Sequence, residues 1–140
     1  MKHMPAYLVI LLSLAILTGC TSRDQADLYL ARGCEAGVKS LMEDGYEILE
    51  IKNKTFSETS INTSYRKVTL SVVETDHWLE EEKEYTCIFN ESFGFLGMKY
   101  SASIYQLDTG QKIIGLVNGK ITGSTEDFTK LTEAIAGAMY

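Results

Sequence analysis

The sequence has little proline, little histidine and no excess of positive charge. Its one proline is Pro5, and its two histidines are His3 and His77. The chain carries 13 basic and 19 acidic side chains, which gives a formal net charge of −6. This balance argues against nucleic-acid binding and against a polybasic grip on anionic lipid, because both need a strongly basic surface. We also find no internal repeat and no low-complexity linker.

Catalytic signatures are missing as well. The sequence contains no Gly-x-Ser-x-Gly, no His-Glu-x-x-His, no phosphate loop and no dinucleotide fingerprint. A zinc site formed by Cys34, Cys87 and His77 would lack the close spacing that is typical of zinc ligands. We therefore expect a non-enzymatic protein that has no metal and no cofactor. The alternative is a hydrolase that uses His77, the one histidine after the first 19 residues.

The longest apolar run lies at the start of the chain. One basic residue, Lys2, precedes twelve almost entirely apolar residues from Ala6 to Leu17, and the small pair Thr18-Gly19 follows. Twelve helical residues span about 18 Å, which is less than the roughly 30 Å hydrocarbon core of a bilayer. The run therefore predicts a cleaved signal segment and not a permanent transmembrane helix.

The tetrapeptide Leu17-Thr18-Gly19-Cys20 at the end of this run resembles the lipobox of bacterial lipoproteins. The resemblance implies that residues 1–19 are removed, that the thiol of Cys20 is diacylated and that the new amino group is acylated. Three acyl chains would form a firm anchor, because each buried methylene contributes about 0.8 kcal/mol. Thr21, and not aspartate, follows the cysteine. By similarity to enterobacterial lipoproteins, this implies the outer membrane of a Gram-negative bacterium, with the protein facing the periplasm. The alternative is an ordinary secreted protein in which Cys20 is incidental.

Lipidation of Cys20 would leave an even number of cysteines. The remaining pair is Cys34 and Cys87, and the oxidising periplasm would join them in a disulfide. In the chain-entropy model, closing a loop of about 50 residues contributes about 4 kcal/mol of stability. The alternative is a pair of free thiols, one of them catalytic.

Residues 20–140 predict a short tether followed by one domain. Residues 20–23 form the lipidated N-terminus and its tether, and residues 24–140 suit a single compact domain. A first helix is predicted over residues 24–44, with Gly45 as its C-cap. Its buried face has four apolar residues at helical spacing, which are Leu30, Cys34, Val38 and Leu41.

The pattern then changes to short alternating segments. Strands are predicted over residues 46–54, 65–74, 83–92, 99–107, 111–117 and 120–122. A final helix is predicted to begin at Ser124 or Thr125. Helices that are segregated from strands indicate an α+β fold. We expect an N-terminal helix, an antiparallel sheet of about four to six strands and a C-terminal helix, with the helices packed on one sheet face.

Two local features of this pattern need an explanation. Gly33 and Gly37 lie beside Cys34 in the first helix, where each glycine costs up to about 1 kcal/mol relative to alanine. We expect them to let the helix approach the sheet closely enough for a disulfide. The acidic run from Glu80 to Glu82 is predicted to be a solvated loop or a strand edge, and a metal site or a basic partner is the alternative.

Two apolar segments stand out where loops are predicted. The segment 93–98 carries four large apolar side chains, those of Phe93, Phe95, Leu96 and Met98. Either this hairpin tip folds back over the open end of the core, or it contacts a partner or a membrane. Trp78 lies in a second predicted loop and is another candidate partner-binding residue.

These observations favour a lipid-anchored envelope protein without catalytic activity. Its function would be to bind another envelope protein or to help assemble it. The alternative is a lipid-anchored inhibitor of an envelope-attacking hydrolase such as lysozyme. Tyr85-Thr86-Cys87 resembles the Tyr-x-Cys strand of membrane-bound lysozyme inhibitors, but the rest of their pattern is absent. The implied partners are therefore the membrane, through the lipid, and an envelope protein.

Overall fold

The computed structural model describes residues 20–140, so the predicted signal segment, residues 1–19, lies outside the described residues. Two helices flank a run of strands: α1 covers Arg23–Leu41 and α2 covers Thr125–Met139. The six strands form one antiparallel sheet in chain order. They are β1 (Glu47–Glu58), β2 (Tyr65–Thr75), β3 (Glu80–Phe93), β4 (Tyr100–Asp108), β5 (Ile113–Val117) and β6 (Lys120–Thr122). The predicted α+β fold is confirmed.

A capping box starts α1. The hydroxyl of Ser22 accepts a hydrogen bond from the backbone N–H of Gln25 at 3.2 Å, and the Gln25 side chain accepts one from the Ser22 N–H at 3.1 Å. The predicted end of this helix is wrong. Met42 is the C-cap with an extended backbone, and its N–H bonds to the carbonyl of Lys39. Gly45 lies three residues further on, with a φ of +94° in the turn that leads into β1.

The core lies between both helices and one face of the sheet. Alternating side chains of β2 and β3 point into it, because a strand presents every second residue to the same face. Leu131, Ile135 and Met139 of α2 cover the same core. The residues that strands β2 and β3 contribute to this hydrophobic core are Val68, Leu70, Val72, Tyr85, Cys87 and Phe89. The two helices therefore pack on one sheet face, as the pattern predicted.

A disulfide joins Cys34 of α1 to Cys87 of β3. The two Cα atoms lie 5.8 Å apart, and both side chains are fully buried in the core. The predicted pairing is confirmed, and with it a feature that is typical of proteins outside the cytoplasm. Cys20 is the free cysteine and is exposed.

The explanation expected for Gly33 and Gly37 is wrong. A Cβ atom at Gly37 would lie 2.7 Å from Leu131 Cδ1, and one at Gly33 would lie 2.8 Å from Met139 Sδ. Both glycines therefore face α2 and not the sheet. Their missing side chains let the two antiparallel helices approach each other closely.

Strands β1, β2 and β3 are longer than the sequence predicted, β4 is shifted by one residue, and β5 is shorter because it begins at Ile113. Strand β1 continues to Glu58, and β3 begins at Glu80, so the acidic run Glu80–Glu82 is part of a strand. This run pairs with the end of β2, whereas β4 pairs with β3 only from Thr86 onward. The acidic side chains are exposed, and Lys52 of β1 forms an ion pair with Glu82. The run is therefore a solvated strand edge, one of the two structures predicted for it.

The antiparallel topology gives the domain two distinct ends, which we call the Cys20 end and the Trp78 end. The Cys20 end holds the start of α1, the β3–β4 connection and the end of α2. The Trp78 end holds the end of α1 and the β2–β3 turn. Strand β3 has 14 residues and connects the two ends; at about 3.3 Å per residue it spans roughly 40 Å. Neither helix of the described residues is long and apolar enough to cross a bilayer.

Candidate functional site

Cys20 lies directly against the β3–β4 connection. Its thiol donates a hydrogen bond to the carbonyl of Leu96 at 3.1 Å. The backbone N–H of Thr21 bonds to the carbonyl of Gly97, also at 3.1 Å. These contacts join residues that are 76 positions apart in the sequence. The predicted lipid attachment site and the apolar segment 93–98 therefore form one continuous surface.

The side chains of this connection point into solvent. Phe95 is 80% exposed, Leu96 is 71% exposed and Met98 is 63% exposed. Phe93, at the end of β3, is 40% exposed and packs against Tyr100 with ring centroids 4.9 Å apart. A tip folded over the core would have buried these groups, so that alternative is wrong. We call the three outermost side chains, Phe95, Leu96 and Met98, the apolar tip.

A network of ion pairs fixes the base of this connection to α1. Arg23 donates two hydrogen bonds to the Glu91 carboxylate at 2.5 and 2.9 Å. Its Nη2 atom also lies 2.7 Å from the Oδ1 atom of Asp27. Arg66 of β2 donates two more to Asp27 at 3.0 and 2.7 Å. The hydroxyl of Tyr100 donates to Glu91 at 2.9 Å. Two arginines and two carboxylates thus balance each other in a half-buried site between helix and sheet.

The network raises the pKa values of two of its members, Arg23 and Tyr100. Burial disfavours the charged form of Arg23, but the hydrogen bonds and negative charge of Glu91 outweigh it and raise the pKa of the guanidinium. Burial and the negative charge of Glu91 raise the pKa of the Tyr100 phenol well above its ordinary value. Tyr100 therefore stays protonated and remains a hydrogen-bond donor to Glu91 throughout the physiological range.

Glu91→Ala is expected to lower the free energy of unfolding by about 2 kcal/mol. The substitution leaves Arg23 and Tyr100 without their shared hydrogen-bond acceptor. Because Arg23 is partly exposed, water replaces part of the lost interaction, and the loss of stability is smaller than for a fully buried pair. Urea unfolding followed by circular dichroism measures the change. Glu91→Gln keeps an acceptor for Tyr100 and should lose only about half as much. Equal stability of the Glu91→Ala variant and the wild type would show that the network does not hold this end together.

The opposite end of the domain presents Trp78 on an ordered turn. Trp78 is 94% exposed, and its neighbour Leu79 is also exposed. The Asp76 carboxylate accepts hydrogen bonds from the N–H groups of Trp78 at 3.1 Å and Leu79 at 2.9 Å. These bonds hold the pKa of Asp76 below its ordinary value, because they stabilise the ionised form. The turn therefore holds a large aromatic side chain out in solvent.

A cavity of about 200 Å³ lies beside this turn, between the end of α1 and the sheet. Its wall includes Glu74, whose side chain is only 3% exposed. The hydroxyl of Tyr85 donates a hydrogen bond to this carboxylate, and the ammonium of Lys83 lies 3.1 Å from it. Burial, followed by the hydrogen bond to Glu74, raises the pKa of Tyr85. The buried charge of Glu74 is thus paired and hydrogen-bonded within the domain, as a structural carboxylate would be.

The geometry around His77 is that of a turn residue. Its φ is +80°, its backbone N–H bonds to the Thr75 hydroxyl at 3.2 Å, and its ring lies against Gly45. Within residues 20–140, no three His, Cys, Asp or Glu side chains are grouped as metal ligands. Tyr85 and Cys87, which carry the resemblance to lysozyme inhibitors, are both buried in the core.

The structure divides the predicted partner-binding residues into two groups. Phe93, Phe95, Leu96 and Met98 lie at the Cys20 end, and Trp78 lies at the other end of β3. Sequence reasoning missed the ion network that supports the first group. Arg23 and Asp27 are four residues apart on one helix, a visible pairing signal, but Arg66 and Glu91 have no such signal.

Comparisons with known proteins return no relative: no family model matches this chain, and neither a curated protein nor a solved structure shows significant similarity to it.

Proposed function

We propose that this chain is a lipid-anchored lipoprotein of the bacterial envelope that faces the periplasm from the outer membrane and binds another envelope protein without catalysis. One observation carries the proposal: exposed Cys20 and exposed Trp78 lie at opposite ends of the domain. A lipid on Cys20 attaches one end to the membrane and leaves the other end free. The disulfide between Cys34 and Cys87 fits an extracytoplasmic location.

The short tether supports this arrangement. Only Thr21 and Ser22 separate Cys20 from the first residue of α1. The 19 residues of α1 run from the Cys20 end toward the Trp78 end, a distance of about 28 Å at about 1.5 Å per residue. The Trp78 end can therefore extend into the periplasm from an anchored Cys20.

Trp78 has the properties of an interface residue. Tryptophan is enriched among residues that dominate binding energy, because it buries a large area at little entropic cost. Here the hydrogen bonds that Asp76 accepts fix the turn before any partner binds. Less conformational entropy is therefore lost when a partner binds.

Trp78→Ala is expected to weaken binding to the envelope partner by about 30-fold or more, the usual scale for losing a central tryptophan. The partner is first identified by a photoreactive amino acid at position 78, activated in intact cells. A photoreactive group at Lys120, which is exposed on the edge strand β6, serves as the positional control. Affinity is then measured with the purified partner for Trp78→Ala and for Ile121→Ala, a matched loss of an exposed apolar side chain on β6.

The proposal requires an adduct from position 78 that position 120 does not give, and an Ile121→Ala affinity equal to that of the wild type. No adduct at position 78, or the same adducts at both positions, would contradict partner binding at the Trp78 end. An unchanged affinity of the Trp78→Ala variant would do so as well.

A further inference from the structure

We infer that the apolar tip, formed by Phe95, Leu96 and Met98, inserts into the periplasm-facing lipid leaflet that holds the acyl chains of Cys20. The domain then has two membrane contacts, one covalent and one through side chains, and so has a fixed orientation on the membrane. This inference rests on the proposed lipid anchor. The apolar tip is the larger of the two exposed apolar surfaces, and under this inference it contacts the membrane and not a protein.

The position of the tip next to Cys20 is the first argument. The Leu96 carbonyl accepts a hydrogen bond from the Cys20 thiol, and a Cβ atom at Gly97 would lie 3.9 Å from the Cβ of Cys20. Acyl chains attached to this sulfur enter the bilayer at the tip itself. A thioether has no proton to donate, but the bond from the Thr21 N–H to the Gly97 carbonyl does not depend on the thiol. The tip and the lipid attachment point therefore stay together after acylation.

The chemistry of the surface is the second argument. Residues 93–98 contain no charged side chain, and three of the apolar ones are largely in solvent. An exposed apolar cluster of this kind marks a protein or membrane contact. The groove beside it is lined by residues that include Met98, Lys99, Arg32 and Tyr140, and within residues 20–140 no acidic side chain lines it. Apolar groups at the tip, with tyrosine and basic residues beside them, match the order of acyl chains and headgroups at a membrane interface.

The support beneath the tip is the third argument. Arg23 lies over the Phe93 ring, with its guanidinium carbon 5.2 Å from the ring centroid, and donates hydrogen bonds to Glu91, two residues earlier in the same strand. Leu96 adopts a φ of +54°, a left-handed conformation that is uncommon for residues other than glycine. The tip is thus held away from the core and toward the surface on which Cys20 lies.

The inference is tested with two tryptophan positions in otherwise matched chains. The wild type carries its single tryptophan at position 78, at the far end from the tip. The variant Trp78→Phe/Leu96→Trp places the single tryptophan in the tip. Both proteins are purified with their native lipid from bacterial membranes and inserted into vesicles of phosphatidylethanolamine and phosphatidylglycerol. A fraction of the lipid carries brominated acyl chains, which quench tryptophan fluorescence at short range.

We expect the Trp78→Phe/Leu96→Trp variant to lose about half of its fluorescence and to emit at shorter wavelength, because its reporter lies within the hydrocarbon region. The wild type should show neither change. The variant Trp78→Phe/Phe95→Trp is measured beside it and should behave in the same way. Circular dichroism and the intact Cys34–Cys87 bond verify that each variant is folded.

The contradicting outcomes are distinct. If both tip variants carry lipid and float with the vesicles but are not quenched, the tip does not enter the bilayer, and the inference is overturned while the anchor stands. The apolar tip would then be a protein contact. If the purified proteins carry no lipid and do not float with vesicles, the proposed function fails, and the inference fails with it.

Discussion

Removing the Cys34–Cys87 disulfide is expected to lower the free energy of unfolding by about 4 kcal/mol. The bond closes a loop with a sequence separation of 53 residues. In the chain-entropy model, a loop of that length restricts the unfolded chain by about 4 kcal/mol at 25 °C. A domain of this size has a total stability of only about 5–15 kcal/mol, so the loss is a large fraction of the whole. The double variant Cys34→Ala/Cys87→Ala should therefore unfold at a much lower urea concentration than the wild type.

The measurement is urea unfolding of the double variant and of the wild type, each with and without reductant. Reductant should destabilise the wild type by a similar amount and leave the double variant unchanged. Cys20→Ser is the matched control, because Cys20 lies outside the disulfide and this variant should respond to reductant as the wild type does. A wild-type unfolding midpoint that does not move with reductant would contradict a stabilising disulfide.

Cys20→Ser is expected to abolish lipid attachment completely. The serine hydroxyl cannot form the thioether that the resemblance to lipoproteins implies, so labelled palmitate should not be incorporated and the uncut precursor should accumulate. Loss of three acyl chains removes nearly all the membrane affinity, since each buried methylene contributes about 0.8 kcal/mol. Palmitate labelling and gel migration of the protein in growing cells measure both effects.

Position 21 provides the matched control for this experiment. Thr21→Asp keeps Cys20 and should keep full palmitate incorporation. By similarity to enterobacterial sorting, this variant should move from the outer to the inner membrane in density fractionation. Full palmitate incorporation into the Cys20→Ser variant would place the lipid elsewhere and contradict the proposed anchor.

The fold was predictable where one physical signal dominates. Val68, Leu70 and Val72 are separated by Thr69 and Ser71, because one face of β2 is buried in the core and the other is partly exposed. The same alternation places Cys87 on the inner face with Tyr85. Its bond to Cys34 was predicted from the count of cysteines, because only these two remain after Cys20.

The errors have equally local causes. Runs of like charge are rare in strands, so the acidic run Glu80–Glu82 did not indicate the true start of β3. The strand tolerates this run because only β2 pairs with these residues, which leaves their other side open to solvent. Gly33 and Gly37 correctly indicated a close approach, but their spacing does not say which element covers them. The structure shows that it is α2.

The candidate site depends on contacts that no local pattern encodes. Cys20 and Leu96 meet because the antiparallel sheet returns the β3–β4 connection to the start of α1. The exposed character of segment 93–98 could be suspected from its composition. Its position beside Cys20 depends on the topology of the entire domain, and this position changes its interpretation from a general contact surface to a membrane contact.

The most direct test of the account is mass spectrometry of the mature N-terminus. Trypsin cleaves after Arg23, so protein purified from envelopes should release a peptide of residues 20–23 that begins at Cys20 and carries a diacylglyceryl group and an amide-linked acyl chain. Cys34 and Cys87 should appear in one disulfide-linked pair of peptides. A peptide in which Cys20 is unmodified, or in which Gly19 still precedes it, would contradict the central claim that this domain is held to the membrane by a lipid on Cys20.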